Sequence, residues 1–161
     1  MAKLQVNSTT TIYGDRLNLY IGDKPVAFAK SCSIEIQADT IDTSNKMSLN
    51  WKEFLTSKLS YTISCDSLVT YQPSAEGTDP LNNVYTYADL LNAMVARDLI
   101  SFKVAKTKEN DDTYASEVEY FSGSAIITSL NLSAPAEDLC TCSISLQGSG
   151  ELSIGEGFAK K

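Results

Sequence analysis

Apolar residues recur at every second position through most of this chain, a period that suits pleated strands and excludes a helical fold. In "PVAFAKSCSIEIQA" (25–38), Val26, Phe28, Cys32, Ile34 and Ile36 share one face, with Ala27, Ala29, Ser31, Ser33 and Glu35 on the other. In "LSYTISCDSLVTY" (59–71), Leu59, Tyr61, Ile63 and Cys65 point the same way. "RLNLYIG" (16–22) reads as a short strand ended by Gly22-Asp23, and "LISFKVAKT" (99–107) keeps Ile100, Phe102 and Val104 in phase. "YASEVEYFSGSAIITSLNLSAP" (114–135) and "LCTCSISLQGSGELSIG" (139–155) complete the set, joined by the turn "PAED". Gly123, inside the first of these, signals a bulge or bend. One segment departs from the rule. "TYADLLNAMVARDL" (86–99) reads as a helix, opened by a capping box of Thr86 and Asp89. Its stripe of Leu90, Leu91, Met94 and Val95 needs the sheet as its partner. The expected architecture is mainly β, a β-sandwich or partly closed β-barrel with one flanking α-helix.

At 161 residues the chain is expected to form one domain with a single core. Residues 1–12 form an N-terminal arm and 156–161 a C-terminal tail. No apolar run approaches the ~20 residues needed to cross a bilayer, so no membrane insertion is expected. "MAKLQVNSTTTIYGD" lacks an apolar signal core, which favours an intracellular start. The net charge of −7 and pI near 4.5 argue against a basic nucleic-acid-binding surface, which needs clustered Lys and Arg.

Histidine is absent, which removes the commonest general base and the commonest metal ligand. The four cysteines, Cys32, Cys65, Cys140 and Cys142, stand in alternating strand patterns and read as small buried hydrophobes in a reducing compartment, with disulfides, in one of three pairings, or a metal site as the rival reading. Cys140-x-Cys142 is not metal-knuckle spacing, and no second pair completes a tetrahedral set. "GSGE" (148–151) follows a strand and precedes more strand, so it is a bend and not a phosphate loop. Glu109, Asp111 and Asp112 lack the ligand alternation of a calcium loop and read as a solvated turn. Asp66 reads as an acid closing its strand on turn N–H groups. No catalytic, cofactor or metal site emerges.

Residues 40–58 stand apart. In an acidic chain they carry Lys46, Lys52 and Lys58 against Asp42 and Glu53. They also hold Met47, Leu49, Phe54, Leu55 and the only tryptophan, Trp51. That is too much apolar surface for a freely solvated loop. Exposed apolar clusters rimmed by polar groups mark interaction sites, and Trp is a favoured anchor. Composition alone leaves two readings open: contact with a partner, or a lid folded over the chain's own barrel end.

The residues also resemble a known family. "IDTSNK" followed by "WKEFLTSKLSYTISCDSLV" is similar to a segment of the major tail proteins, or tail tube proteins, of long-tailed bacteriophages. "YFSGSAIITSLNLSAPAEDLCTCSISLQGSGELS" resembles the closing hairpin of that family, with its Ala-Pro turn and Gln-Gly-x-Gly end. The resemblance covers residues 25–70 and 85–154, and departs at Ser67, where the family often has Gly. It implies a hexameric ring with joined sheets around a channel, stacked rings, and a long inter-strand loop that reaches the neighbouring ring. In that setting Asp42, Lys46, Met47, Leu49, Trp51, Lys52, Glu53, Phe54 and Lys58 would carry ring-to-ring contact. Glu35, Asp39, Glu117 and Glu119, on polar strand faces, are candidate lumen-facing acids. The implied partners are copies of the chain, a tape-measure protein, and tail initiator and terminator proteins. The implied cargo is double-stranded DNA, passed without being read. The place is the virion tail, with host cytoplasm during assembly. The rival readings are an inner-tube protein of a contractile or type VI-like injection system, and a small-molecule-binding β-barrel or enzyme.

Overall fold

The structure, a computed structural model, describes residues 17–26, 29–48, 50–69, 84–107 and 116–155. The proposed N-terminal arm, the C-terminal tail, Phe28, Leu49, the loop 72–83 and the acidic turn 108–113 lie outside the described residues. Seven strands form one antiparallel sheet: β1 (Leu17–Ile21), β2 (Lys24–Pro25), β3 (Ala29–Asp42), β4 (Phe54–Leu68), β5 (Ile100–Thr107), β6 (Ser116–Ser133) and β7 (Thr141–Ile154). Their spatial order is β2-β1-β5-β6-β7-β4-β3, and the two edges, β2 and β3, do not pair with each other. The expected β-rich architecture with a flanking helix holds, in the form of an open sheet.

The burial pattern follows the alternation. Along β4, Tyr61, Ile63, Cys65 and Ser67 are buried while Ser64 and Asp66 are exposed. Cys142, Ile144 and Leu146 of β7 lie on the same inner face, and Leu19, Phe102, Val104 and Ala125 close the core from β1, β5 and β6. Gly22, at φ +62, makes the two-residue turn that brings Lys24 opposite Ile21. That conformation suits a residue without Cβ. The bend expected at Gly123 is present: the β6–β7 register shifts between Ser122 and Ser124, beside Gly150 at φ +88. Gly148 lies under the Tyr61 ring, so a Cβ there would overlap the ring carbons. The Tyr61 hydroxyl donates to the Ser124 carbonyl at 2.8 Å, pinning β4 to β6 across β7.

Helix α1 (Tyr87–Ala96) is shorter than the expected 86–99. Thr86 caps it, its backbone N–H and hydroxyl both donating to the Asp89 carboxylate at 3.0 and 2.8 Å. Arg97 ends it in the left-handed region at φ 57, so Asp98 and Leu99 fall outside. The expected stripe is only half right. Leu90 is buried, with Tyr87 and Ala93 packed beside it, whereas Leu91 and Val95 face solvent. A three-residue spacing suits the single line of contact that one short helix makes on a sheet.

The largest departure concerns residues 40–58. They are not one irregular loop. β3 runs to Asp42 and β4 begins at Phe54, so only residues 43–53 connect them. The ladder continues Ile36↔Tyr61, Ala38↔Leu59, Ile41↔Leu55 and Asp42↔Phe54, with a bulge between Ala38 and Thr40. Backbone pairing extends the hairpin through Thr40–Asp42 and Phe54–Lys58, where the residues show no sustained alternation between apolar and polar.

Candidate functional site

Two surfaces are built by this topology, and the first is a projecting hairpin. β7 pairs with β4 only from Thr62 to Leu68, so β3 and β4 leave the sheet as a two-stranded arm beyond that row. At ~3.3 Å per residue the arm extends about 20 Å before its tip. The tip is tied by its own polar groups. The Ser44 N–H donates to Asp42 Oδ1 at 2.8 Å and the Glu53 N–H to Ser44 Oγ at 2.9 Å. The Met47 N–H donates to Asn45 Oδ1 at 2.8 Å, and the Asn45 N–H to Ser48 Oγ at 3.1 Å. Asp42 is held below its usual pKa by these Ser44 hydroxyl and N–H contacts.

The lid reading of Trp51 does not fit this geometry. Trp51 is 83% exposed, and Met47 is 86% exposed, so neither folds back on the sheet as a lid. Phe54, Leu55, Ile41, Ile36 and Leu59 are also exposed. Ile36 and Leu59 continue, by register, the face that carries Tyr61 and Ile63 in the core. The core face of the sheet therefore runs on uncovered along the arm. Lys46, Lys52, Lys58, Asp42 and Glu53 are exposed around it.

The second surface is the opposite face of β3, β4, β7 and β6. Register aligns Ser33, Ser64, Ser145 and Ser129 in one cross-strand row. The next row is Ser31, Asp66, Ser143 and Asn131, and a third is Glu35, Thr62, Gln147 and Ile126. These rows hold no lysine or arginine. Asp66 does not close its strand. It sits within the ladder and accepts from Ser143 Oγ at 2.7 Å and Ser31 Oγ at 3.1 Å. Ser67, where the resemblance breaks, is a buried strand residue opposite Cys142 and not part of a turn.

The four acids singled out in the sequence are scattered. Glu35 lies on the hydroxyl face, its carboxylate accepting from Gln37 Nε2 at 2.6 Å. Asp39 is exposed at the arm's bulge. Glu119 stands 3.5 Å from Lys103 Nζ, which also lies 3.5 Å from Asp23 and 5.8 Å over the Tyr20 ring. Glu117 is on β6, its side chain outside the described residues. Asp66, which sequence reasoning set aside, holds the central position on the face. Only the register, which flanks it with hydroxyls on both sides, reveals that.

Two grooves of about 430 and 640 Å³ flank Lys103 and the helix, and both are open to solvent. No cluster of three or more metal-ligating side chains occurs among the described residues. Within those residues no helix is long and apolar enough to cross a membrane. All four cysteines are free thiols; Cys65 and Cys142 are buried as expected, Cys32 is half-buried, and Cys140, which precedes β7, is exposed rather than buried.

The described residues thus form an open antiparallel sheet with one flanking helix and a projecting arm that exposes apolar side chains. The family model for phage tail tube proteins matches residues 22–154, and the chain belongs to that family; it is a structural tail tube subunit. Solved structures share the fold. A chain from the tail of the empty gene transfer agent particle, refined with C6 symmetry, superposes with TM-score 0.65 at 17% identity. The match covers 89% of this chain and 98% of that one. The SPP1 tail tube superposes at TM-score 0.61 and 17% identity, covering 91% and 80%. The sheath/tube terminator of an extracellular contractile injection system gives 0.61 at 18% identity, covering 91% and 98%. No curated protein matches the sequence.

Proposed function

We propose that six copies of this chain close into a ring, that rings stack into the tail tube, and that the β3–β4 arm carries the ring-to-ring contact. The observation that carries this is the exposed apolar surface of the arm: Ile36 and Leu59 continue the core face uncovered, and Ile41, Leu55, Phe54 and Trp51 are exposed beyond them. Each large apolar side chain buried in such a contact contributes about 1.5–3 kcal/mol, so a few per subunit, repeated around a ring, hold a stack together. Lys46, Lys52 and Lys58 then meet acidic surface on the next ring of a chain whose net charge is −7. C6 symmetry in the gene transfer agent tail supports the ring size.

In this reading the hydroxyl rows line the channel and double-stranded DNA passes through it unread. A face of Ser, Thr, Asn and Gln with two acids, Glu35 and Asp66, holds water and offers the phosphates no cation, so no counterion is released and nothing sticks. The same fold serves the terminator of an injection system, and it is this cation-free face together with the net charge of −7 that favours DNA as the cargo. The chain performs no catalytic step and takes no cofactor. It assembles in host cytoplasm with a tape-measure protein and tail initiator and terminator proteins, and ends in the virion tail. Trp51→Ala tests the arm. The variant subunit should keep the parent's circular dichroism and unfolding midpoint yet form no tubes by negative-stain microscopy; tubes of normal length would refute the assignment.

A further inference from the structure

The β3–β4 register places Cys32 directly opposite Cys65, four residue pairs from Ile36↔Tyr61 and on the same face. Their sulfurs are 2.9 Å apart and unbonded. Cross-strand partners have Cβ atoms ~4.5–5.5 Å apart, while a disulfide needs ~3.5–4.5 Å between Cβ atoms and ~2.05 Å between sulfurs. The sulfurs here have less than about 1 Å left to close, within reach of small side-chain rotations.

The two thiols differ in access. Cys65 is buried and Cys32 half-buried, so an oxidant arriving from solvent meets Cys32 first. The hydrogen bond between them favours charge on Cys32 and opposes it on Cys65. Cys142 is a third buried thiol on the same face, but its register partner is Ser67. Cys140 is exposed and sits just before β7.

We propose that Cys32 and Cys65 are a cross-strand oxidation site, which a peroxide converts to a disulfide at the base of the projecting arm. The Cys32 thiolate attacks one peroxide oxygen, the O–O bond breaks, and one water leaves as Cys32 becomes a sulfenic acid. The Cys65 sulfur then attacks the Cys32 sulfur, its proton departs with the hydroxyl as a second water, and the S–S bond forms. Two thiols lose two electrons in total and one peroxide gains them. The bond closes a loop spanning the whole arm. It restricts the unfolded chain more than the folded one, and it fixes the β3–β4 register. This concerns the subunit itself and does not depend on where the arm docks.

The test treats the reduced full-length chain with hydrogen peroxide, then alkylates it under denaturing conditions and maps the peptides without reductant. Alkylated cysteines should fall from four to two, and one cross-linked peptide pair should join Cys32 to Cys65. Oxidation should raise the unfolding midpoint by about 5–10 °C. Cys140→Ser should leave both results intact, whereas Cys32→Ser and Cys65→Ala should each abolish the link and the midpoint rise. If neither variant folds, the wild-type peptide map alone decides. Four alkylatable thiols after treatment, a link from Cys65 to Cys142, or intermolecular cross-links through Cys140 alone would overturn the proposal.

Discussion

β4 is one strand living in two environments, and the contrast between its halves separates what folds this protein from what it is folded for. From Thr62 to Ser67 it is paired with β3 on one side and β7 on the other, and Ile63, Cys65 and Ser67, with Tyr61 just before them, are buried. From Phe54 to Ser60 it has β3 as its one partner in the ladder, and every side chain is exposed. Ile63 is 1% exposed and Leu59, four residues earlier on the same face, is 70% exposed. The first half contributes to the stability of the monomer. The second contributes almost nothing there and leaves exposed the apolar surface proposed above for the ring-to-ring contact.

Substitutions that treat the halves alike should therefore give unlike results. The largest effect is expected at Ile63→Ala, which leaves a cavity in the fully buried layer and should cost about 2–5 kcal/mol by denaturant titration. Leu59→Ala, in the same experiment, should stay within about 0.5 kcal/mol of the parent. Equal losses at the two positions would erase the contrast. Next in size is Gly148→Ala, whose methyl group enters the space of the Tyr61 ring. Moving that ring should cost about 1–3 kcal/mol and weaken the Tyr61 hydrogen bond to Ser124, read as faster amide exchange at the strand junction. The smallest effect belongs to the tip. Asp42 has its pKa lowered from 3.8 by its Ser44 contacts, so it supports the turn above its unfolded pKa and loses that support as pH falls through the lower folded value. The Ser44 amide shift should titrate with a midpoint below 3.8, and Asp42→Asn should remove the transition without altering the core.

The same contrast explains what could be read from the residues. The inner half of β4, β7, and β5 from Ile100 to Val104 were legible because burial on one face imposes alternation. The helix start at Thr86 was legible because a capping box is local chemistry. Thr40–Asp42 and Phe54–Lys58 read as loop because a strand exposed on both faces has no apolar-polar contrast to display. Backbone pairing holds them, and that has no side-chain signature. Trp51 was recognised as unusual, but whether it faced its own sheet or solvent depended on where β7 stops. The serine rows and the Cys32–Cys65 pair are properties of register, which brings together residues more than thirty positions apart. No window along the chain contains both halves of either feature.

The strand order has a further consequence, for the pace of folding. β3–β4 and β6–β7 are hairpins that need only nearby residues, and the tied turn at Asp42–Ser44 favours the first of them. β1–β5 and β4–β7 instead join segments about eighty residues apart, and both must close before the core exists. Such non-local pairing slows β-rich domains to milliseconds or seconds and leaves unpaired edges open in the meantime. While those edges are open, the net charge of −7 sets copies of the chain in mutual repulsion, which opposes edge-to-edge pairing between them.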